Sequence, residues 1–414
     1  MTSKPTNLSR RGFLNLAVGS AAMAALPHKL RAAENSPATL GPLALDSPKR
    51  IDELHTPALL IDLDAMERNL EAMAQHAAAQ GIGLRPHVKT HKCPIIAKRQ
   101  IELGAVGVCA AKVGEAEVMV DAGIENVLIT SPVATPEKIR RVVALAARTP
   151  GLQMVIDRAR NAQDFNDAAA AAGLTLRVLI GLDTGTQRTG IALGEPALDL
   201  ARTVGLLPNL QLDGLQAYAG HVMHVEGHEG RKQRSQDTLA RCLETRALLE
   251  RNGFEIGVFT GGGTGTFDID SSIDGMSDLQ VGSYLFMDVQ YRAIGDADSD
   301  VFDTFEPSLF VLATAISQPV ADRITLDAGY KAFANEPNAK PQFRELAGLE
   351  YYYGGDEHGI VAFLTDERPL RVGDKAQLLV SHCDPTVNLY DNYHVVENGR
   401  VAQLWPISAR GRSQ

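Results

Sequence analysis

Between residues 56 and 285 the chain repeats one cycle, a short apolar run followed by a longer stretch with apolar residues at helical spacing. Ala58-Leu-Leu-Ile-Asp62 opens the series as a buried-strand signal, and Leu63 to Gln80 follows with helical periodicity and alanines filling between. Ile82 to Pro86 precedes the helical stretch Cys93 to Gly104, Val106 to Ala110 leads to Glu115–Ala122, and Asn126 to Thr130 leads to Pro136–Arg148. Leu152 to Ile156 precedes Ala159–Ala172, and Leu176 to Leu182 precedes Glu195–Val204. Leu212 to Ala219 precedes Arg231–Asn252, Glu255 to Thr260 opens a glycine-rich loop, and a last strand falls near Leu279–Val281. This order predicts an α/β fold, a (β/α)₈ TIM barrel over residues 56–300. A doubly wound open sheet alternates in the same way. The barrel is preferred because the polar motifs follow the C-terminal ends of several different strands, where barrels place their chemistry.

After about residue 305 the pattern changes to strand-like runs: Leu309–Ile316, Ile324–Asp327, Gly359–Leu364, Ala376–Val380 and His394–Val396. They predict a second, smaller, mostly-β domain over 305–414, joined by 41–55 returning from the N-terminal side. At the other end, Arg10-Arg11 precedes an uncharged apolar run, Leu14 to Leu26, and small residues at Ala32-Ala33. The run is too short to span a bilayer. The pattern predicts a twin-arginine export signal over residues 1–33, hence use of the Tat export machinery, a periplasmic destination and no membrane association after its removal. A disordered basic tail is the plainer alternative. Removing that segment leaves 35 basic against 50 acidic residues, a balance that argues against nucleic acid as a partner. The four cysteines lack the short paired spacing of a disulfide framework or a zinc cage.

Three motifs carry chemistry. Arg85-Pro86-His87-Val88-Lys89-Thr90-His91-Lys92 lies just past the second strand signal. A lysine there, part-desolvated and among cations, is expected to have a lowered pKa and to attack an aldehyde as the neutral amine. The alternative is a solvated basic loop. Thr260-Gly-Gly-Gly-Thr-Gly-Thr266 leaves backbone N–H groups uncovered for a phosphate, in the part of a barrel where phosphates commonly bind. Ser381-His382-Cys383-Asp384-Pro385 follows a strand signal. If the extended backbone continues, His382 and Asp384 share a side and offer nitrogen and oxygen to manganese, magnesium or zinc. A surface histidine and a turn-forming aspartate are the default for two such residues alone.

The combination is more specific than its parts. The Lys89 loop, Ile180-Gly-Leu-Asp-Thr-Gly-Thr-Gln-Arg188-Thr-Gly190, Gly220-His221-Val-Met-His224, the glycine-rich loop and His382-Cys-Asp384 occur in an order that resembles the D-threonine aldolase and D-serine dehydratase family. These are fold-type III pyridoxal-phosphate enzymes with an alanine racemase-like barrel, and the resemblance runs from about Thr56 to Pro406. It implies that Lys89 carries pyridoxal 5'-phosphate as a Schiff base and that Arg188 faces the pyridine nitrogen. Tyr218, Gly262, Gly263, Thr264 and Tyr284 would hold the cofactor, with His382 and Asp384 on a divalent metal, manganese first. It also implies a homodimer.

Family dehydratases resemble His-x-Cys at the metal motif and aldolases His-x-Asp, so Asp384 points to an aldolase. The implied reaction cleaves a β-hydroxy-D-amino acid to glycine and an aldehyde. The ion acidifies the β-hydroxyl, His224 takes its proton directly or through water, and Lys89 or water returns one to Cα. A dehydratase giving an oxo-acid and ammonia is the alternative, and a metal-free racemase or a cofactor carrier is a weaker one. His87 and His91 either take part or shape the lysine loop. His221 either packs on the cofactor ring or moves a proton, while Asp327 and His358 are either site neighbours or turn residues.

Overall fold

A computed structural model describes residues 40–414. The export-signal expectation for residues 1–33 lies outside them. Eight parallel strands stand in chain order around a barrel: Gly83–Leu84, Val108–Ala110, Val127–Ile129, Gln153–Ile156, Leu176–Gly181, Leu210–Ala217, Val258–Gly261 and Asp278–Leu279. The first and second join through a parallel bridge between His87 and Cys109, with Cys109 N donating to Pro86 O and Val88 N to Cys109 O, both at 2.8 Å. The strands are short apolar runs buried on both faces, as parallel sheets covered by helices require. Their helices show the complementary amphipathic pattern. Leu63–Gln80 buries Met66, Leu70, Met73 and Ala77 along one stripe, begins on the Asp62 carboxylate (Ala65 N at 3.2 Å) and ends at Gly81, φ 67°.

One strand is not where the alternation puts it. Ala58–Asp62 lies between Leu309–Val320, antiparallel, and Asn392–Glu397, parallel, in the second sheet. The barrel strands therefore begin at Gly83, not near residue 56. A short run buried on both faces looks the same in either sheet, and its partners here lie some 250 residues or more downstream.

The second sheet runs Leu43–Arg50, Arg400–Pro406, Asn392–Glu397, Ala58–Asp62, Leu309–Val320, Arg323–Leu326, Gly359–Phe363 and Leu349–Tyr353, with Lys375–Leu379 also on Leu309–Val320. Leu349–Tyr353 and Arg400–Pro406 have no counterpart among the strand signals. The domain's short helix, Cys383–Val387, starts inside the proposed metal motif. A continuous core joins the two parts, with Leu59 and Tyr393 of the sheet packing with Met66, Phe286 and Phe305.

Arg231, fully buried, fastens three loops at the barrel mouth. Its guanidinium donates to Val225 O, Gly265 O, Ile294 O and Gly295 O at 2.6–3.0 Å. Arg231→Leu leaves those carbonyls short of donors, so we expect a loss of about 3 kcal/mol or more. Urea midpoints at unchanged m-value check this. A shift worth under about 1 kcal/mol would mean water replaces the guanidinium.

Candidate active site

The Lys89 loop is fixed on both sides of the lysine. Thr90 N donates to His87 O at 3.3 Å, Lys92 N to Val88 O at 2.7 Å, and Tyr393 OH to His91 O at 2.7 Å. His91 is fully buried and its Nδ1 accepts from Cys93 N at 3.1 Å, so it shapes the loop. Lys92 takes a left-handed backbone (φ 53°) and pairs with Glu115, which is 1% exposed. With the backbone held, the Lys89 side chain keeps 40% exposure. It faces a cavity of about 990 Å³, lined also by His87, Gln216, Tyr218 and Arg188.

Lys89 forms an ion pair with Asp384 from the β domain. Burial pulls the lysine pKa down, but the charge of Asp384, with Tyr218 and the Asp384 hydrogen bond, outweighs it and leaves the ammonium strongly favoured. This corrects the expected lowered pKa. Cationic neighbours are present in sequence, but the nearest group in space is a carboxylate. Asp384 shifts the other way: burial alone would raise its pKa, and Lys89 with His382 brings it far below the usual carboxylate range.

Arg188 sits on the turn after Leu176–Gly181. Asp183 Oδ1 accepts from Gly185 N and Gln187 N at 2.9 and 3.0 Å, and Gly190 leaves no room for a Cβ against Leu182 O. The turn carries the Arg188 guanidinium to 6.0 Å from the centre of the Tyr218 ring.

The glycine-rich segment packs beside a second loop. Gly262 has φ 66°, and a Cβ on Gly265 would meet Met223 O at 2.1 Å. Among the described residues, the backbone N–H groups of Gly262, Gly263, Thr264, Gly282 and Ser283 donate to no partner. Thr264 Oγ1 accepts from Tyr284 N at 3.0 Å, tying the loops together. Unpaired amides on two adjoining loops suit an anion. Tyr284 joins through its backbone only: its ring is buried beside Phe305, and its hydroxyl accepts from Gln100 Nε2 at 3.0 Å. Gly282 and Ser283 were missed in the sequence, although Tyr284 beside them was marked there.

Beneath the glycine-rich turn Asp270, 1% exposed, accepts from Ser235 Oγ and Thr266 Oγ1, each at 2.5 Å. Burial pushes its pKa up to about 6 from 3.8, against the pull of both hydroxyls. The folded form holds this proton more tightly than the unfolded chain. Its contribution to stability is therefore complete below the unfolded pKa, near 4, and is lost as pH rises through about 6. A shift of about two units is worth about 3 kcal/mol. Relative to Asp270→Asn, the parent should lose on the order of 3 kcal/mol between pH 4 and 7. Parallel slopes for the two proteins in urea unfolding would refute the assignment.

His382 and Asp384 do not lie along an extended strand. Helix Cys383–Val387 begins between them, with His382 as its N-cap residue and Pro385 tolerated in its first turn. The continuation expected past Val380 therefore stops at His382. Asp288, fully buried, accepts from Cys383 N at 2.9 Å and fixes the helix start. Asp384 reaches Lys89, while His382 Nδ1 lies 2.8 Å from Glu336 Oε1. Glu336 sits in a loop where nothing in the sequence marks it.

The His224 ring lies tilted against Tyr291, with ring centres 4.5 Å apart. Burial and the charges of His382 and Lys89 depress its pKa to about 4, against Glu336 and Asp384, so it is neutral near pH 7. Lys89, His382, Asp384 and Glu336 thus all lie close enough to act on His224, while among the described residues His221 makes no hydrogen bond or ring contact. Asp327 instead accepts from Thr314 N at 2.7 Å and Thr56 Oγ1 at 2.5 Å, a structural role inside the second sheet.

Among the described residues no group of three or more His, Cys, Asp or Glu side chains is arranged around a metal position. The two-donor set still fits a divalent ion. Among the described residues His382 Nε2 makes no hydrogen bond, Asp384 is held ionised, and a cation, the Lys89 ammonium, already sits on that carboxylate. The amides, Arg188 and Lys89 likewise suit the phosphate, ring and aldehyde of a pyridoxal cofactor.

Residues 61–290 match the alanine racemase N-terminal domain, and residues 308–396 match a serine dehydratase domain. The chain is 40% identical over 359 residues to a D-threonine aldolase of Arthrobacter sp., covering 87% of this chain and 93% of that one. The chain belongs to the D-threonine aldolase and D-serine dehydratase family. It is a lyase. A 3-hydroxy-D-aspartate aldolase of Paracoccus denitrificans (strain Pd 1222) is 37% identical over 363 residues, 87% of this chain and 93% of its own. The crystal structure of D-threonine aldolase from Filomicrobium marinum superposes with a TM-score of 0.85 at 38% identity, covering 89% of this chain and 99% of that one. An alanine racemase-like barrel with a separate β domain is thus the family fold, and membership implies pyridoxal phosphate.

Proposed function

We propose that this lyase is a pyridoxal-phosphate- and divalent-metal-dependent aldolase that cleaves D-threonine-like β-hydroxy-D-amino acids to glycine and an aldehyde. The observation that carries it is Asp384: a carboxylate, not a thiolate, stands two residues after His382 and reaches the cofactor lysine. When bound, the cofactor supplies an electron sink for the Cα carbanion and the ion supplies Lewis acidity at the β-hydroxyl. Lys89 holds the cofactor and handles the proton at Cα. The amides of Gly262, Gly263, Thr264, Gly282 and Ser283 would hold the phosphate, and Arg188, near Tyr218, would face the pyridine nitrogen and keep it unprotonated. That would make the ring a weaker sink and leave more of the work at the β-oxygen. Neutral His224 takes the β-hydroxyl proton. Its pKa of about 4 keeps it in the base form down to mildly acidic pH.

The test is a product assay with D-threonine and manganese, repeated with chelator. Glycine and acetaldehyde that vanish with the chelator are expected. Oxobutanoate and ammonia would place the protein on the dehydratase branch, and D-to-L interconversion without metal would make it a racemase. Phenylserine and 3-hydroxyaspartate, run beside D-threonine, rank the side chains the site accepts. Export to the periplasm, proposed from Arg10-Arg11, and a homodimer, proposed from the family resemblance, are checked by cell fractionation and light scattering.

A further inference from the structure

We propose that Glu336 is a positioning residue for the metal site, its carboxylate fixing the His382 imidazole with Nδ1 protonated and Nε2 turned to the ion. The proposal rests on the reading of His382 and Asp384 as metal-holding residues. Carboxylate oxygens are hydrogen-bond acceptors, and the 2.8 Å contact with Glu336 Oε1 suits Nδ1 as the donor. That leaves the lone pair on Nε2, which has no other partner among the described residues. A neutral imidazole with its second nitrogen on a carboxylate is the usual way proteins orient a metal-binding histidine and raise its basicity.

The surrounding backbone is built to deliver this carboxylate. Ala334 O, two residues before Glu336, accepts from Ser381 Oγ at 2.5 Å and from Tyr353 OH at 2.6 Å. Ala334 N donates to Thr386 Oγ1 at 3.1 Å, and that hydroxyl donates to His382 O at 2.7 Å. The Glu336 segment is thus bolted to the residue before His382 and to the residue four after it. These bonds, with Asp288 on Cys383 N, hold the His382 main chain. Of the contacts seen, only Glu336 sets the rotation of the ring itself. Both side chains are 23% exposed, enough for an ion and water to reach the imidazole edge.

The experiment measures manganese affinity of chelator-treated holoenzyme by electron paramagnetic resonance of the free ion. Glu336→Ala should weaken binding by about 10–100-fold, with circular dichroism and cofactor absorbance unchanged and turnover restored by excess manganese. Glu336→Gln should stay within about threefold of the parent, because the amide oxygen accepts the same hydrogen bond. Parent-like affinity in Glu336→Ala would overturn the proposal. So would an equal loss in Glu336→Gln, which would mean that the charge, not the hydrogen bond, matters. Asp384→Ala separates the two levels: if the parent has no manganese site that this variant removes, the metal reading fails and the proposal with it. If the site is there and only Glu336 is silent, the proposal alone falls.

Discussion

Lys89→Ala is expected to lower turnover by about 10⁴-fold, the upper end of what one positioned proton-transfer group contributes, and to abolish the visible absorbance of bound cofactor after dialysis. On the proposed reading two functions meet in this side chain, covalent anchorage and proton handling at Cα, and its loop leaves no slack for a neighbour to take over. The His87 and Lys92 backbones are tied within the turn, and the Lys92 side chain is committed to buried Glu115. Lys112 is the other amine lining the cavity. Retained absorbance in Lys89→Ala would mean that Lys112 or another amine takes the aldehyde, and the assignment of Lys89 would be wrong. A small primary amine added to the medium should restore part of the turnover if proton transfer is what was lost.

Asp384→Ala should cost about 10³-fold in turnover, which corresponds to the several kcal/mol a Lewis acid supplies at a developing alkoxide. Chelator should do the same to the parent and nothing further to the variant. The cofactor should still bind. Lys89 would lose the charge that holds it protonated, and burial, the largest influence on it, would then favour the neutral amine that reacts with an aldehyde. Activity lost together with cofactor absorbance would point instead to a structural role for the Lys89–Asp384 pair. Chelator-sensitive activity surviving in Asp384→Ala would place the ion elsewhere.

The repeating cycle was legible because each piece is local. Helix Ala159–Ala172 has the same ends in sequence and structure, set by periodicity and by Gly173 in the left-handed region at its C-cap. The barrel strands lie within the runs read from apolar patterning or extend past them by at most two residues. The Lys89, Arg188 and glycine-rich segments were legible as order along the chain, and two of them are tight turns: Asp183 caps the Arg188 turn, and Gly265 permits close approach to Met223.

What needed the tertiary structure was every choice between partners far apart in sequence. Ala58–Asp62 satisfies its hydrogen bonds equally well in either sheet, and the long-range pairing with Leu309–Val320 decided it. Tyr284 was marked as a cofactor contact, but packing on Phe305 and a hydrogen bond from Gln100 committed its side chain to the core. The Lys89–Asp384 pair spans 295 positions and the His382–Glu336 pair 46. A pKa depends on the nearest charge in space, so a lysine among basic neighbours in sequence was read with the wrong sign. The sequence by itself determined which elements form and in what order the motifs come, because propensity, periodicity and turn chemistry act over a few residues. Which strands pair, which carboxylate meets Lys89 and which nitrogen of His382 faces the site were decided by the fold alone, because burial and Coulomb interactions act through space.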